Sequence, residues 1–346
     1  MADILKIATP QEISTYLRTI NTVPKLGDLL FPNKTVTELK VKNITGADGA
    51  PVVAKIHSWN AEAEIGSRDS FSEQELALTF IKKKIPLKED ELMAITNPRT
   101  TEELDFLIKN VFNDAKRMKD SVLAKIEAMK MEAAAKGVIT ITENGITGTI
   151  DYKVPSDQKI VLAGSTPADM PWSNAAADIL GQLRTYTELM LGKGVKITRA
   201  LTTSGVISAM LTNTGIKTAI NGSANADKMI TLADLNLVLE KAELPQFARY
   251  DEVYREQNPD GSYTMKKYFP EGYVSLLPDG ELGEGNLGPT PEGRKLIKDG
   301  KISKMDDVTI YIYESSNDPI ETMTKGSASF IPTFPRANEI VSIKVK

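Results

Sequence analysis

The residue types that usually carry catalysis are sparse in this chain and are not arranged for it. His57 is the only histidine, so neither a two-histidine metal site nor a Ser–His relay with a second histidine can form within one chain. Glu62 and Glu64, or Asp306 and Asp307, are pairs expected by chance among 46 acidic residues in 346. They are interpreted as solvated charge and not as an acid–base pair. The sequence therefore predicts no enzyme, no catalytic residue, no cofactor and no metal.

One glycine motif imitates a nucleotide-binding fingerprint. Residues 283–288 satisfy the spacing GxGxxG, which binds a pyrophosphate only where it follows a buried strand and opens a helix. Pro289 and Pro291 follow at once, and the turn signature Pro-Asp-Gly occupies 278–280. We therefore interpret 283–288 as a glycine-rich surface loop and reject nucleotide binding there.

The composition is that of a soluble globular protein, with 41% hydrophobic and 25% charged residues. A length of 346 residues predicts one or two folded units. The net charge of −4 provides no basic footprint for sequence-independent nucleic-acid binding. Cysteine is absent, which excludes disulfides and thiolate chemistry and favours a cytoplasmic origin. Neither a long apolar run nor a signal-peptide pattern is present, so we expect no membrane partner.

The elements that surround these residues are dominated by one long predicted helix at 100–137. Thr100 and Glu103 fit a capping box, and Gly137 fits a left-handed terminator. Apolar side chains recur in steps of three and four, at Leu104, Ile108, Val111, Ala115, Met118, Val122, Ile126, Met129 and Ala133. No proline or glycine interrupts the run, so we expect a single continuous helix.

The length of this helix bears on the shape of the subunit. At 1.5 Å per residue it would span roughly 55 Å, whereas a compact chain of this size has a diameter of about 50 Å. A coiled coil or an ordinary bundle helix is the alternative, but Lys125 occupies a position that a strict heptad gives to an apolar residue. The pattern favours a strut across a flat or elongated α+β subunit.

Two segments before the helix are predicted to be extended. Prolines bracket an apolar cluster at 23–32, which favours an extended arm. The apolar stretches at 52–56 and 76–81, in a region with little helical periodicity, predict the two limbs of a long β-excursion with a polar tip at 66–70. His57 continues the first limb and is expected at the surface. Because such an excursion is unstable alone in water, it folds back on its own domain or lies on a neighbouring subunit.

Shorter elements follow the long helix. An Asn-Gly turn between alternating residues predicts a hairpin over 138–152, and a Pro/Gly/Ser/Ala-rich passage at 155–171 marks a boundary. Helices are expected at 173–191, 202–213 and 232–241, and strands at 36–41, 195–201, 247–256, 262–269, 273–277, 308–313, 320–326 and 339–345.

Two groups of short sequence blocks stand out by their order along the chain. The first group comprises YDEVY at 250–254, DGSY at 260–263, KYFP at 267–270, GYVSLLPDGELG at 272–283 and GPT at 288–290. The second comprises NDPIET at 317–322 and the blocks 327–332 and 339–343. With the long helix after an extended loop, they resemble the capsid protein E family of tailed phages, the lambda-type major capsid proteins, over essentially the whole chain.

This resemblance implies a fold and a domain organisation. The fold would be the tailed-phage major capsid fold, an α+β fold with an N-terminal arm, an extended β-loop, a long spine helix, a peripheral sheet domain and an axial domain. The implied boundaries are the arm at 1–45, the loop at 46–97, the peripheral domain at 98–171 and 305–346 with its spine helix at 100–137, and the axial domain at 172–304.

The resemblance also implies a function and partners. The chain would be a virion major capsid protein that passes through the host cytoplasm and self-assembles into the hexamers and pentamers of an icosahedral head. Further partners would be a portal protein, a decoration protein and double-stranded DNA packaged without sequence specificity. The sequence contains no cleavable scaffolding segment before the arm, so we expect a separate scaffolding protein.

Large or charged side chains on the loop and the arm are the candidates for contacts between subunits. They are Trp59, Arg68, Phe71, Leu29 and Phe31. Three other functions remain open at this point: an encapsulin-like nanocompartment shell, another phage structural protein such as a tail tube, and a soluble cytoplasmic enzyme.

Overall fold

The structure is a computed structural model of the chain. It describes residues 15–16, 24–46, 53–60, 62, 71–96, 100–143, 145–225, 228–294, 301–305, 308–315 and 320–346. Side chains are described for all of these except 94–96, 101–108 and 301–305. None of the described helices is long and apolar enough to cross a lipid bilayer.

The chain divides into two compact units. The first unit comprises Met1–Lys42, Glu75–Lys130 and Glu284–Thr333. The second comprises Asn43–Gln74, Met131–Gly283 and Phe334–Lys346.

The described α-helices, numbered α1 to α7 in chain order, are Leu26–Leu30, Glu89–Thr96, Thr101–Lys136, Ile179–Gly192, Ser204–Thr212, Thr214–Asn221 and Leu232–Lys241. Strands β1 to β9 are Asn33–Thr35, Lys40–Thr45, Ser72–Ala77, Thr79–Leu87, Val138–Glu143, Ile146–Asp151, Lys159–Val161, Ile197–Thr202 and Gln246–Arg249. Strands β10 to β17 are Val253–Gln257, Tyr263–Lys267, Tyr273–Pro278, Glu284–Gly288, Lys301–Met305, Val308–Ser315, Glu321–Thr333 and Val341–Lys344.

Helix α3 confirms the predicted long helix. It has 36 residues, which gives a length of about 54 Å, and Gly137 ends it with a φ of +65°. Every described side chain of the predicted stripe, from Val111 to Ala133, is buried. The last two turns depart from a single stripe, because Met131, Ala134 and Ala135 are buried as well. The predicted cap at Thr100 depends on the side chain of Glu103, which lies outside the described side chains.

The first unit is built around one mixed sheet. Its strand order is β1-β13-β16-β15-β14, and β4 pairs with the long strand β16. All pairs are antiparallel except β1 with β13. Gly326 of β16 lies against α3, where an added Cβ would stand 3.0 Å from the Cβ and the carbonyl oxygen of Met118. Glycine therefore permits the close approach of sheet and helix within this unit.

The prediction of a surface loop at 283–288 was wrong. Residues 284–288 form strand β13 between β1 and β16, and Gly285, Asn286 and Leu287 are buried. A Cβ on Gly285 would lie 2.9 Å from Asn33 Oδ1. The glycines therefore give room for neighbouring side chains inside the sheet.

The second unit contains a five-stranded sheet with the order β7-β17-β12-β8-β9. Helices α4 to α7 supply much of its core, together with the buried side chain of Trp172. Helix α7 has the predicted bounds, and α5 begins two residues later than expected. Helix α4 begins at Ile179, six residues late, because Asp178 caps it by accepting a hydrogen bond from Gly181 N–H. The sequence analysis missed α6 and did not separate β9 from β10.

The hairpin after the long helix is confirmed. Strands β5 and β6 pair antiparallel from Val138 with Asp151 to Glu143 with Ile146. Gly145 in the turn has a φ of +77°, which a glycine adopts without steric cost.

Both segments predicted to be extended need correction. Residues 24–31 contain the short helix α1 in place of an extended arm, with Leu30 and Phe31 buried. The described part of the first limb, 53–56, is not a strand, and His57 after it is exposed as expected. The strand that pairs with β3 is β2. Strand β2 begins at Lys40, near the end of the strand that was predicted at 36–41.

Candidate assembly surfaces and their anchors

The N-terminal segment that carries Leu29 is fastened to the long helix by a buried charge. Lys130 of α3 is fully buried, and its Nζ donates to Asp28 Oδ1 at 2.7 Å and to Asn33 Oδ1 at 2.6 Å. The ammonium group also lies 5.7 Å from the centre of the Phe330 ring. A buried ammonium is tolerated only with such partners, so these contacts fix the segment on either side of Phe31.

A second buried charge on α3 acts on the same segment. Glu127 lies one turn before Lys130 and is buried. Its Oε1 accepts a hydrogen bond from the backbone N–H of Gly27 at 3.0 Å. A carboxylate at the beginning of α1 satisfies a donor that the short helix itself leaves unpaired. The first turn of α1 is thereby held on α3.

A further buried carboxylate lies on the sheet of the first unit. Glu292 pairs with Lys325 and accepts a hydrogen bond from Ser327 Oγ at 3.1 Å. Burial acts to raise the pKa of Glu292, but the hydrogen bonds and the charge of Lys325 outweigh it, so the pKa lies below its ordinary value. Glu292 is therefore ionised at neutral pH and ties the segment after β13 to β16.

The carboxyl end of α3 is capped by two serines from neighbouring strands of the second unit. Ser275 of β12 and Ser342 of β17 face each other in the antiparallel register. Ser275 Oγ donates to the carbonyl of Ala134 and Ser342 Oγ to that of Ala135, each at 2.6 Å. These carbonyls belong to the last turn, where helical donors are missing. The sheet thus replaces the hydrogen bonds that the helix end lacks.

The five predicted interface residues have different positions. Trp59 is 98% exposed, and Phe71 and Leu29 are also mostly exposed. Arg68 lies outside the described residues. Phe31 is 0% exposed; it is packed within its own subunit and is removed from the candidate set. Exposure permits a contact with a second subunit but does not test it, so the first three stay predictions.

Other apolar side chains of the loop segment share this exposure. Val53, Ile56 and Trp59 recur at intervals of three over residues that form no strand, and all three are almost completely exposed. Large apolar side chains that protrude together usually mark a contact with another molecule. Val53 and Ile56 were not among the predicted interface residues, although the predicted first limb at 52–56 contained them.

The buried charges Lys130, Glu127 and Glu292 were also missed. For the first two a signal existed, because both lie among the apolar residues of the long helix between Ile126 and Ala133. A charge flanked on both sides by apolar residues in such a helix indicates a specific buried partner. Within the described residues, no group of three or more acidic or histidine side chains is placed to hold a metal ion.

The chain matches a known protein family over almost its whole length. The profile of the family described as phage major capsid protein E matches residues 9–345. No curated protein sequence matches the chain significantly.

Two solved structures are similar along almost the whole chain. One is described as a prophage capsid protein of Escherichia coli CFT073; it has a TM-score of 0.61 at 13% identity, covering 98% of this chain and 99% of that one. The other is a phage-related protein of Bordetella bronchiseptica RB50, with a TM-score of 0.52 at 12% identity, covering 96% and 95%. At these identities the likeness concerns the fold alone.

Proposed function

Because the chain belongs to the phage major capsid protein E family, we propose that it builds the hexamers and pentamers of an icosahedral phage head that encloses double-stranded DNA. The family match over residues 9–345 carries the proposal, since it includes both compact units and the segments between them. The predicted family and the α+β tailed-phage capsid fold are confirmed by this match and by the structural likeness. The protein is thus a structural component of a phage head, and the assembly itself is what we propose.

The proposal gives each part of the chain a role in the shell. Residues 98–171 and 305–346, with the long helix α3, form the peripheral domain. Residues 172–304, which include α4 to α7, form the axial domain around the five-fold and six-fold positions. The segment 46–97 is the extended loop, of which β4 belongs to the subunit's own sheet and the part before β4 lies on the adjacent subunit, and 1–45 is the arm.

The contacts of the loop are supported by its exposed apolar side chains. Val53, Ile56, Trp59 and Phe71 each leave most of their side chain in water in the single subunit. Covering such area on a neighbour would stabilise the contact by roughly 25 cal/mol per Å² before the costs of association. Many weak contacts of this size allow a misplaced subunit to dissociate, which favours closed and regular shells.

The charge of the subunit is consistent with a container that does not adsorb its contents. A net charge of −4 per chain, repeated around a shell, gives no attraction for phosphate groups. DNA is therefore enclosed by the volume of the shell and not bound by sequence. The proposal also includes a portal protein for DNA entry, a separate scaffolding protein and a decoration protein. The subunit assembles in the host cytoplasm, and its final location is the virion.

Electron microscopy of the chain, expressed with and without the proteins encoded beside it, tests the proposal. We expect closed shells of uniform size whose contents include nuclease-protected DNA when packaging proteins are present. Tubes or open rings would indicate another phage structural protein. Shells that hold an enzyme in place of DNA would indicate a nanocompartment, and a compact monomer at every concentration would refute assembly.

A further inference from the structure

Strands β10 and β11 form a ribbon with two different faces. Their register places Tyr254 opposite Lys266 on one face, and Arg255 opposite Met265 on the other. The first face is supported, because Tyr254 stacks on Tyr268 with ring centres 5.1 Å apart. An isolated two-stranded ribbon is marginal in water, so this stacking holds the ribbon in place. On the second face, Lys267 opposite Val253 pairs with Asp251 and Glu271, and the side chains beyond it are exposed to solvent.

The solvent face of the ribbon has the composition of a contact surface. Val253, Tyr263 and Met265 are all about half exposed on it. The guanidinium carbon of Arg255 lies 5.4 Å from the centre of the Tyr263 ring. Among the described residues, Arg255 has no carboxylate within ion-pair distance. Tyrosine, methionine and arginine are the residues enriched where proteins bind each other. We call these four residues the ribbon face.

The same unit carries a surface of complementary chemistry on helix α7. Leu235 and Leu239 of α7 are buried, whereas Asp234, Leu237 and Glu240 follow one another along its exposed side. This stripe, the α7 face, places an exposed leucine between two carboxylates, with Lys241 at its end. Helix α4 also exposes a leucine, Leu191, but Arg184 and Glu188 beside it balance each other in charge. Of these two helices, only α7 complements an apolar surface that carries an arginine.

We propose that the ribbon face of one subunit docks on the α7 face of the next copy of this chain. Met265 and Tyr263 would cover Leu237, and Arg255 would pair with Glu240. A ring of identical subunits needs two different complementary patches on every chain, and these two faces are such a pair. The inference rests on the proposed function and specifies which surfaces form the ring contacts.

Engineered cysteines test the contact directly, because the native chain has none. The double variant Met265→Cys/Leu237→Cys, assembled with its neighbouring phage proteins and oxidised, should give a ladder of covalent oligomers that ends at the ring size. The matched control Met265→Cys/Leu191→Cys should remain a single chain. Assembled particles without a ladder in the first variant, or with an equal ladder in the control, overturn the contact.

A charge exchange decides the question even if the cysteine variants do not assemble. Arg255→Glu and Glu240→Arg alone should each lower the yield of sedimenting particles by roughly tenfold. The double exchange should restore the yield to within about twofold of the wild type. Single variants that assemble like the wild type, or a double variant no better than either, overturn the contact while the shell function stands. Failure of the wild type itself to form shells overturns the proposed function.

Discussion

The serine caps at the end of α3 allow a quantitative prediction. Replacing Ser275 by alanine removes the hydroxyl that donates to the carbonyl of Ala134 at 2.6 Å. Val138 would supply the helical donor for this carbonyl, but it already belongs to β5. Both serines are buried, so water does not readily replace the lost donor. We therefore expect Ser275→Ala, and likewise Ser342→Ala, to destabilise the subunit.

The expected magnitude follows from an unpaired buried carbonyl. Such a group costs about 1–3 kcal/mol, so each substitution should lower the free energy of unfolding by about 2 kcal/mol. The serines face each other across β12 and β17, so the double variant should lose somewhat less than about 4 kcal/mol because neighbouring sites share their relaxation. Urea unfolding of the unassembled subunit, followed by its helical circular dichroism, measures these differences.

A matched control separates the cap from the substitution itself. Ser208 is exposed on α5, and Ser208→Ala should change the free energy of unfolding by no more than about 0.5 kcal/mol. If Ser275→Ala and Ser342→Ala are as mild as this control, the helix end does not depend on the sheet serines and the reasoning is refuted.

Four further changes test other contacts. Gly326→Ala should lower the melting temperature, since the added Cβ would stand 3.0 Å from the backbone oxygen of Met118 and overpacking costs about 1–3 kcal/mol; an unchanged melting temperature would contradict the close packing. Met118→Pro should abolish assembly, because proline inside a helix costs about 3 kcal/mol or more; a wild-type yield of particles would show that assembly does not require one continuous helix. The lowered pKa of Glu292 means that its ionised form stabilises the fold above the ordinary value of 4.5 and that this contribution disappears as the pH falls through the lower folded value. Unfolding midpoints of the wild type and Glu292→Gln should therefore differ at pH 7 and converge in acid, whereas a constant difference would exclude the pair with Lys325. Deleting 61–70, which keeps β3, should leave a folded, soluble subunit that forms no stable shells, and normal shells in the microscope would rule out the role given to the loop.

Local signals were sufficient for some elements of the fold. Helix α7 has the predicted bounds, and Thr231 and Asp234 form a capping box at its first turn. The β5–β6 hairpin followed from its Asn-Gly turn, and α3 from an uninterrupted stripe. In each of these cases, the residues that determine the element lie within it or next to it.

Elements that depend on distant partners were predicted poorly. Strand β13 is a strand because β1 and β16 lie on either side of it, and its glycines suggested a loop. Residues 53–56 were predicted to be part of a strand but have no strand partner among the described residues. A short apolar stretch becomes a strand only when another strand pairs with it.

The positions of the predicted interface residues could likewise be predicted only in part. Exposure of Trp59 and Phe71 agrees with their place on the segment predicted to be an extended loop. Burial of Phe31 could not be predicted, because it depends on how Lys130 and Glu127, about a hundred positions later in the chain, hold the short helix before it.

The two tryptophans of the chain lie in opposite surroundings, and this has a practical consequence. Trp172 is 1% exposed and Trp59 is 98% exposed. Emission from the first follows the integrity of the core, whereas emission from the second should shift to the blue and resist iodide quenching only when another subunit covers it. The unlabelled protein thus contains two optical reporters, which allow folding and shell closure to be timed separately in a single cuvette.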